Sequence, residues 1–414
     1  MEHDTIQSES SLNLTFTKDS RLTIILIMLG MTICFSTLWR FPYQVASFGG
    51  LGFIIIYLAM LIFFVYPALT AEWGLGRFTG SGAEDAYTNL NLPKSVSYVL
   101  FFIVFAIGSY FIIWVGWILE FTFRALTDPR LVDANTNSIT YFSTNIVNQP
   151  GIQLIFAALV LILIAPALLI GTRAIERISS VLVPIFFVFI IGITSFVLLQ
   201  PGILSETLTY LTAFNVNQIT PFTFVAALGQ AFFSLCLGGT YMVLYSSYMK
   251  RTEKHDIPIN AGLTIIGNTI ASILSMILVF GILIYSTIGL NNFEAFGPGL
   301  LFSAIPAAFQ SLQVSVFVKQ VLLALFFALF FFSAFLPMVA ILEVLVVFFT
   351  KKFNFSRIKA YSLISFAMIL AAIPSALSPL EGGFLYNLDI FVGAIGSVVG
   401  SIIALFTFGW VMSK

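Results

Sequence analysis

The sequence predicts an all-α integral membrane protein with about ten transmembrane helices. Three observations carry this. Of its 414 residues, 59% are hydrophobic and 9% charged, which leaves too little polar surface for a soluble domain of that size. Apolar runs of about 20 residues, the length that crosses a bilayer's hydrocarbon, recur along the whole chain. The basic residues fall almost entirely in alternate joints between those runs, as a fixed orientation in a membrane requires.

Residues 1–20 are polar and lack the basic-then-apolar order of a cleaved leader, so they read as a cytosolic tail. Runs follow near 22–43, 51–73, 96–124, 151–171 and 177–199, then near 222–247, 260–288, 315–349, 358–375 and 386–412. Polar or Pro/Gly-rich joints separate them, and 296–312 reads as a short helix lying in an outer loop. With the N-terminus inside, every Lys and Arg except Arg40, Arg124, Arg130 and Lys319 falls on the cytosolic side. Both termini are therefore expected in the cytoplasm, with the chain in the inner or plasma membrane. The first five runs lie within 21–200 and the last five within 201–414. Five is odd, so the second set enters from the opposite side, the arithmetic of an inverted-topology repeat.

Several functions are excluded early. Lys+Arg and Asp+Glu number 18 each, so nothing points to nucleic acid. Cys34 and Cys236 sit in apolar runs without disulfide or metal-ligand spacing. The two histidines, His3 and His255, lie in polar segments, and no Ser-His pair, paired aspartate motif or metal cluster falls within the runs, so an intramembrane enzyme is not expected.

Two runs carry signs of interruption. Leu237-Gly238-Gly239-Thr240 places adjacent glycines in the middle of run six, where freed backbone groups need partners. Close helix packing would use the same glycines. Run one has Gly30, then Thr32, Ser36 and Thr37, then Arg40 and Pro42. A charge at that depth lines a cavity or has a partner, and Asp389 at the outer end of run ten is the expected one.

Ordered motifs then mark a resemblance. They are Trp39-Arg40-Phe41-Pro42-Tyr43 and Gly49-Gly50; Pro67 with Glu72-Trp73-Gly74-Leu75-Gly76-Arg77; Gly229-Gln230-Ala231-Phe232-Phe233-Ser234-Leu235; Gly297-Pro298-Gly299-Leu300-Leu301-Phe302; Leu342-Glu343-Val344; and Ile373-Pro374-Ser375-Ala376-Leu377-Ser378. In this order, across nearly the whole chain, they resemble the neurotransmitter:sodium symporter family, which has the LeuT fold. The resemblance implies a secondary transporter of amino acids or related small molecules, working by alternating access with helices 1 and 6 broken. It implies a cargo site of Thr32, Phe35, Ser36, Ile107, Phe111, Phe233, Cys236 and Gly239. It implies gates at Arg40, Asp389 and Gln230 outside and at Tyr248 inside. Sodium would be held by Thr32, Thr37, Ser234 and Asn268, and chloride by Tyr57, Gln230, Ser234 and Ser272. Glu72 would brace the broken helices.

The chain departs from the family pattern at functional positions. Cys34-Phe35-Ser36-Thr37 replaces a Gly-Leu-Gly-Asn stretch, which should make unwinding harder. Leu336 and Pro337 replace a Thr-Ser pair whose hydroxyls hold a second sodium, leaving Gly30, Ile33 and Ser333 to supply oxygens. Phe111 replaces a tyrosine that binds the cargo carboxylate, although Tyr110 keeps the hydroxyl beside it. Lys351 replaces an inner-gate acid. Glu343 has no basic residue near it in sequence, which leaves open a minor reading as a proton-coupling acid. A sodium-linked symporter is therefore the first reading. A sodium-independent or proton-linked carrier of the same fold and a non-transporting receptor are the alternatives.

Overall fold

The computed structural model describes residues 15–17, 20–33, 35–214, 216–249, 256–286, 300–380 and 382–412. Among the described residues eight helices are long and apolar enough to cross a membrane: Leu51–Thr79, Lys94–Thr127, Pro150–Ile170, Thr172–Leu198, Ile257–Tyr285, Val316–Phe353, Arg357–Leu377 and Phe384–Val411. In chain order they are spans 2, 3, 4, 5, 7, 8, 9 and 10. The two missing from the expected ten are the interrupted ones. Span 1 is Arg21–Thr32, then Phe35–Leu38 and Arg40–Ser47; span 6 is Pro221–Ser234, then Tyr241–Ser247. Among the described residues there is no β-strand. The outer-loop helix runs Leu300–Gln310; its expected start at 296–299 lies outside the described residues.

Span 6 breaks because its backbone turns left-handed three times in five residues. Cys236, Gly238 and Thr240 have φ of 52°, 76° and 61°. Gly238 is pressed against span 10, where an added Cβ would lie 1.8 Å from the Ser397 carbonyl oxygen. Its N–H donates to Glu72 Oε1 at 2.8 Å, and Ser401 Oγ donates to the same oxygen at 2.7 Å. Glu72 thus ties span 2 to the break and to span 10.

Span 1 breaks at Ile33, as expected of helix 1, although the glycines are lost. The reason is that neighbours take over the freed carbonyls. Cys236 Sγ donates to Met31 O at 3.1 Å, and Asn268 Nδ2 to Thr32 O at 3.1 Å. A buried carbonyl with a side-chain donor no longer needs its helical partner.

Spans 3 and 8 run through the centre and are the most enclosed. The outward faces carry large exposed apolar residues such as Phe63, Val188 and Phe366, as a bilayer requires. Lys94, Lys351 and Arg357 gather at one end of the bundle, the basic end.

Candidate functional site

At the end opposite the basic one, Arg40 Nη1 donates to Asp389 Oδ1 at 3.1 Å across 349 residues of sequence. Tyr110 Oη donates to the same oxygen at 3.0 Å. The guanidinium also lies 4.7 Å from the Phe233 ring centroid. Arg40 and Asp389 are only 5% and 4% exposed, so the pair must be well bonded to remain charged. Asp389 begins a π-helical stretch, Asp389–Gly396, an irregularity common at functional places.

Directly beneath Phe233 is a small cavity lined mainly by apolar side chains. Four residues expected at the cargo site line it: Ile107, Phe111, Phe233 and Cys236. Sequence reasoning missed Leu237, Tyr241, Pro337, Ala340, Ile341 and Ser397. Pro337, Ala340 and Ile341 share one helical face, but span 8 is apolar all round, so no periodicity singles that face out. Two expected residues do not reach the cavity. Gly239 lies under the Tyr241 ring, 2.0 Å from Cε2 to an added Cβ, so Tyr241 occupies the room its side chain would have had. Thr32 is fully buried with its hydroxyl donating to Leu29 O. The side chains of Phe35 and Ser36 lie outside the described residues.

Beside the break in span 1, oxygens from three helices converge. Asn268 Nδ2 bonds Thr32 O and Ser234 O at 3.1 and 3.3 Å, and Thr37 Oγ1 reaches Thr32 O at 3.4 Å. Asn268 Oδ1 is buried without a partner. A half-turn of the amide would point Oδ1 at the same place, making an all-oxygen set suited to a hard cation. Next to it, Tyr57 Oη and Ser234 Oγ are 3.2 Å apart, and the Ser272 hydroxyl donates to Asn268 O at 2.9 Å. Gln230 is fully buried with neither amide atom bonded. These are neutral groups able to donate, as an anion in a dry site needs.

Gly30, Ile33 and Ser333 also come together. They line a crevice with Leu182, Val183 and Leu336. Leu336 Cδ1 lies 2.8 Å from where a Gly30 Cβ would be, and Ser333 Oγ is committed to Phe330 O at 2.8 Å. The walls are mainly apolar, with Phe186 and Phe332 beside the aliphatic residues, while Ser179 Oγ, buried without a partner, lies 3.2 Å from where a Gly30 Cβ would be.

At the basic end the structure corrects the isolation of Glu343. Arg357, fourteen residues on, donates to Glu343 Oε2, and Tyr248 Oη donates to Oε1 at 2.9 Å. Proximity in sequence missed Arg357 because span 8 ends and span 9 begins between them. Lys351 pairs with Asp85 at 2.9 Å. The N-terminal segment straps this end. Phe16 sits edge-on against Tyr248 at 5.8 Å and its N–H bonds Tyr248 O at 2.9 Å, while Thr17 Oγ1 donates to Glu176 at 2.7 Å.

Comparison with known proteins agrees with this geometry. The family model of the sodium:neurotransmitter symporter family matches residues 16–153 and 144–413. An uncharacterized sodium-dependent transporter of Bacillus subtilis, YhdH, is 30% identical over 317 residues, covering 75% of this chain and 68% of that protein. Another, from Haemophilus influenzae, is 28% identical over 381 residues, covering 87% and 80%. The crystal structure of MhsT in complex with L-phenylalanine superimposes with a TM-score of 0.86 at 27% identity, covering 96% of this chain and 90% of that one. The chain belongs to the sodium:neurotransmitter symporter family and is a multi-pass, sodium-dependent membrane symporter of the LeuT fold.

Proposed function

We propose that the cargo is an amino acid with a bulky apolar side chain, moved together with one sodium ion and a chloride toward the basic end, which faces the cytosol. The cavity beneath Phe233 carries this reading. Its walls are almost wholly carbon, from Ile107, Phe111, Leu237, Ala340 and Ile341, so burial of an apolar side chain supplies the affinity. MhsT, of the same fold, is solved with L-phenylalanine, which supports the choice. Arg40, Asp389, Tyr110 and Phe233 close the cavity on one side; Tyr248, Glu343 and Arg357 close the other. The cation is assigned to Thr32, Thr37, Ser234 and Asn268 and the anion to Tyr57, Gln230, Ser234 and Ser272. The crowding of Gly30 by Leu336 and the commitment of Ser333 Oγ to Phe330 O support a single sodium.

Thermal unfolding of the purified protein tests this. L-Phenylalanine and L-leucine should raise the melting temperature in sodium chloride and leave it unmoved in choline chloride. Glycine should do little in either. The sodium titration should follow a one-site curve. Stabilisation of equal size in choline removes sodium coupling, and equal size in sodium gluconate removes the chloride.

A further inference from the structure

One helical turn nearer the basic end, spans 3, 6 and 8 line a second cavity. It is a narrow space lined by Ser97 of span 3, Thr240 and Leu244 of span 6, and Val344, Val347 and Lys351 of span 8. Tyr241 lines the upper cavity and Thr240 the lower, so adjacent residues of span 6 form the partition.

Two features of Thr240 are unused by the central site. Its φ of 61° is left-handed, a conformation that a β-branched residue takes at real cost. Such strain persists where the surroundings impose it, and it gathers at ligand clamps. Its hydroxyl is also without a hydrogen-bond partner, on a residue only 2% exposed. A buried hydroxyl left unbonded is costly and calls for a partner. At the other side of the cavity, the Lys351 side chain is 35% exposed and held by Asp85, itself 41% exposed. A surface pair of this kind is weak, and the ammonium keeps further donors to offer.

We propose that the lower cavity is a second cargo site, which takes the carboxylate of the amino acid between Thr240 Oγ1 and Lys351 Nζ as spans 6 and 8 part. The inference rests on the amino-acid reading above and adds a binding step to it. A carboxylate leaving the centre then meets a cation, Lys351, on its way out.

The test is equilibrium binding of radiolabelled L-phenylalanine to the purified full chain in sodium chloride. The wild type should show a tight and a weak component. Thr240→Gly should weaken the weak one by about fivefold to tenfold, keep the tight one, and raise the melting temperature by relieving the left-handed strain, so that loss of binding is not loss of fold. Lys351→Ala should weaken the second component by about tenfold, and Lys351→Arg should restore it. Phe111→Trp, which fills the central cavity, should remove the tight component alone. A one-site isotherm in the wild type, or a weak component unchanged in both Thr240→Gly and Lys351→Ala, overturns the second site and leaves the carrier reading standing. No binding at any sodium concentration removes the amino-acid reading and this inference with it.

Discussion

Single residues decide what the pocket can hold. Phe111 faces the cavity where relatives carry a hydroxyl, while the Tyr110 hydroxyl is committed to Asp389. Returning a hydroxyl with Phe111→Tyr should tighten binding of L-phenylalanine by about fivefold to tenfold, the worth of one hydrogen bond, read by the same thermal titration. Arg40 shows the opposite case. Arg40→Ala leaves the Asp389 carboxylate 4% exposed and held by Tyr110 alone. The expected loss is about 3–5 kcal/mol of stability, and Arg40→Ala with Asp389→Asn should recover part of it. Were the double variant as unstable as the single one, the ion pair would not be what holds that end shut. Asn268 was legible from its spacing to Ser272, but the unbonded Oδ1 was not, because it depends on what spans 1 and 6 bring to it.

Among elements, the two interrupted helices matter most, and glycine explains only one of them. Gly238 has φ of 76° and lies against the Ser397 carbonyl, so Gly238→Ala adds both strain and a clash. It should cost about 3 kcal/mol or more. Gly262→Ala, in the continuous helix of span 7 with only Tyr66 nearby at 3.7 Å, should be neutral or stabilising by about 0.5–1 kcal/mol. If the two variants melted alike, packing at the break would not be the constraint. Span 1 has no glycine at Cys34–Thr37 and breaks all the same. The Gly-Gly of span 6 was visible along the chain; the breaking of span 1 required Cys236 and Asn268 from elsewhere.

For the whole molecule, the cavity beneath Phe233 lies between the Arg40–Asp389–Tyr110 cluster and the Tyr248–Glu343–Arg357 cluster, and the basic end carries an extra fastening in Phe16 and Thr17. Phe16 is 2% exposed against Tyr248. Phe16→Ala should loosen that end and expose Cys236, whose thiol lines the central cavity. In a Cys34→Ser background, maleimide labelling of Cys236 should speed up by about tenfold, equivalent to about 1.4 kcal/mol of lost closure. An unchanged rate would show that the strap does not contribute to closure.

Composition, run length and the distribution of Lys and Arg were enough to read a helical membrane protein of ten crossings, because the bilayer acts on each segment separately and leaves its mark on every one. Ordered motifs were enough to place it in its family. The chamber itself could not be read that way. Pro337, Ala340 and Ile341 look like the rest of an apolar helix, Leu336 fills the space by Gly30 only once spans 1 and 8 are side by side, and Arg357 meets Glu343 only after the chain turns back on itself. A lining is a relation between helices distant in sequence, and packing alone sets which faces meet.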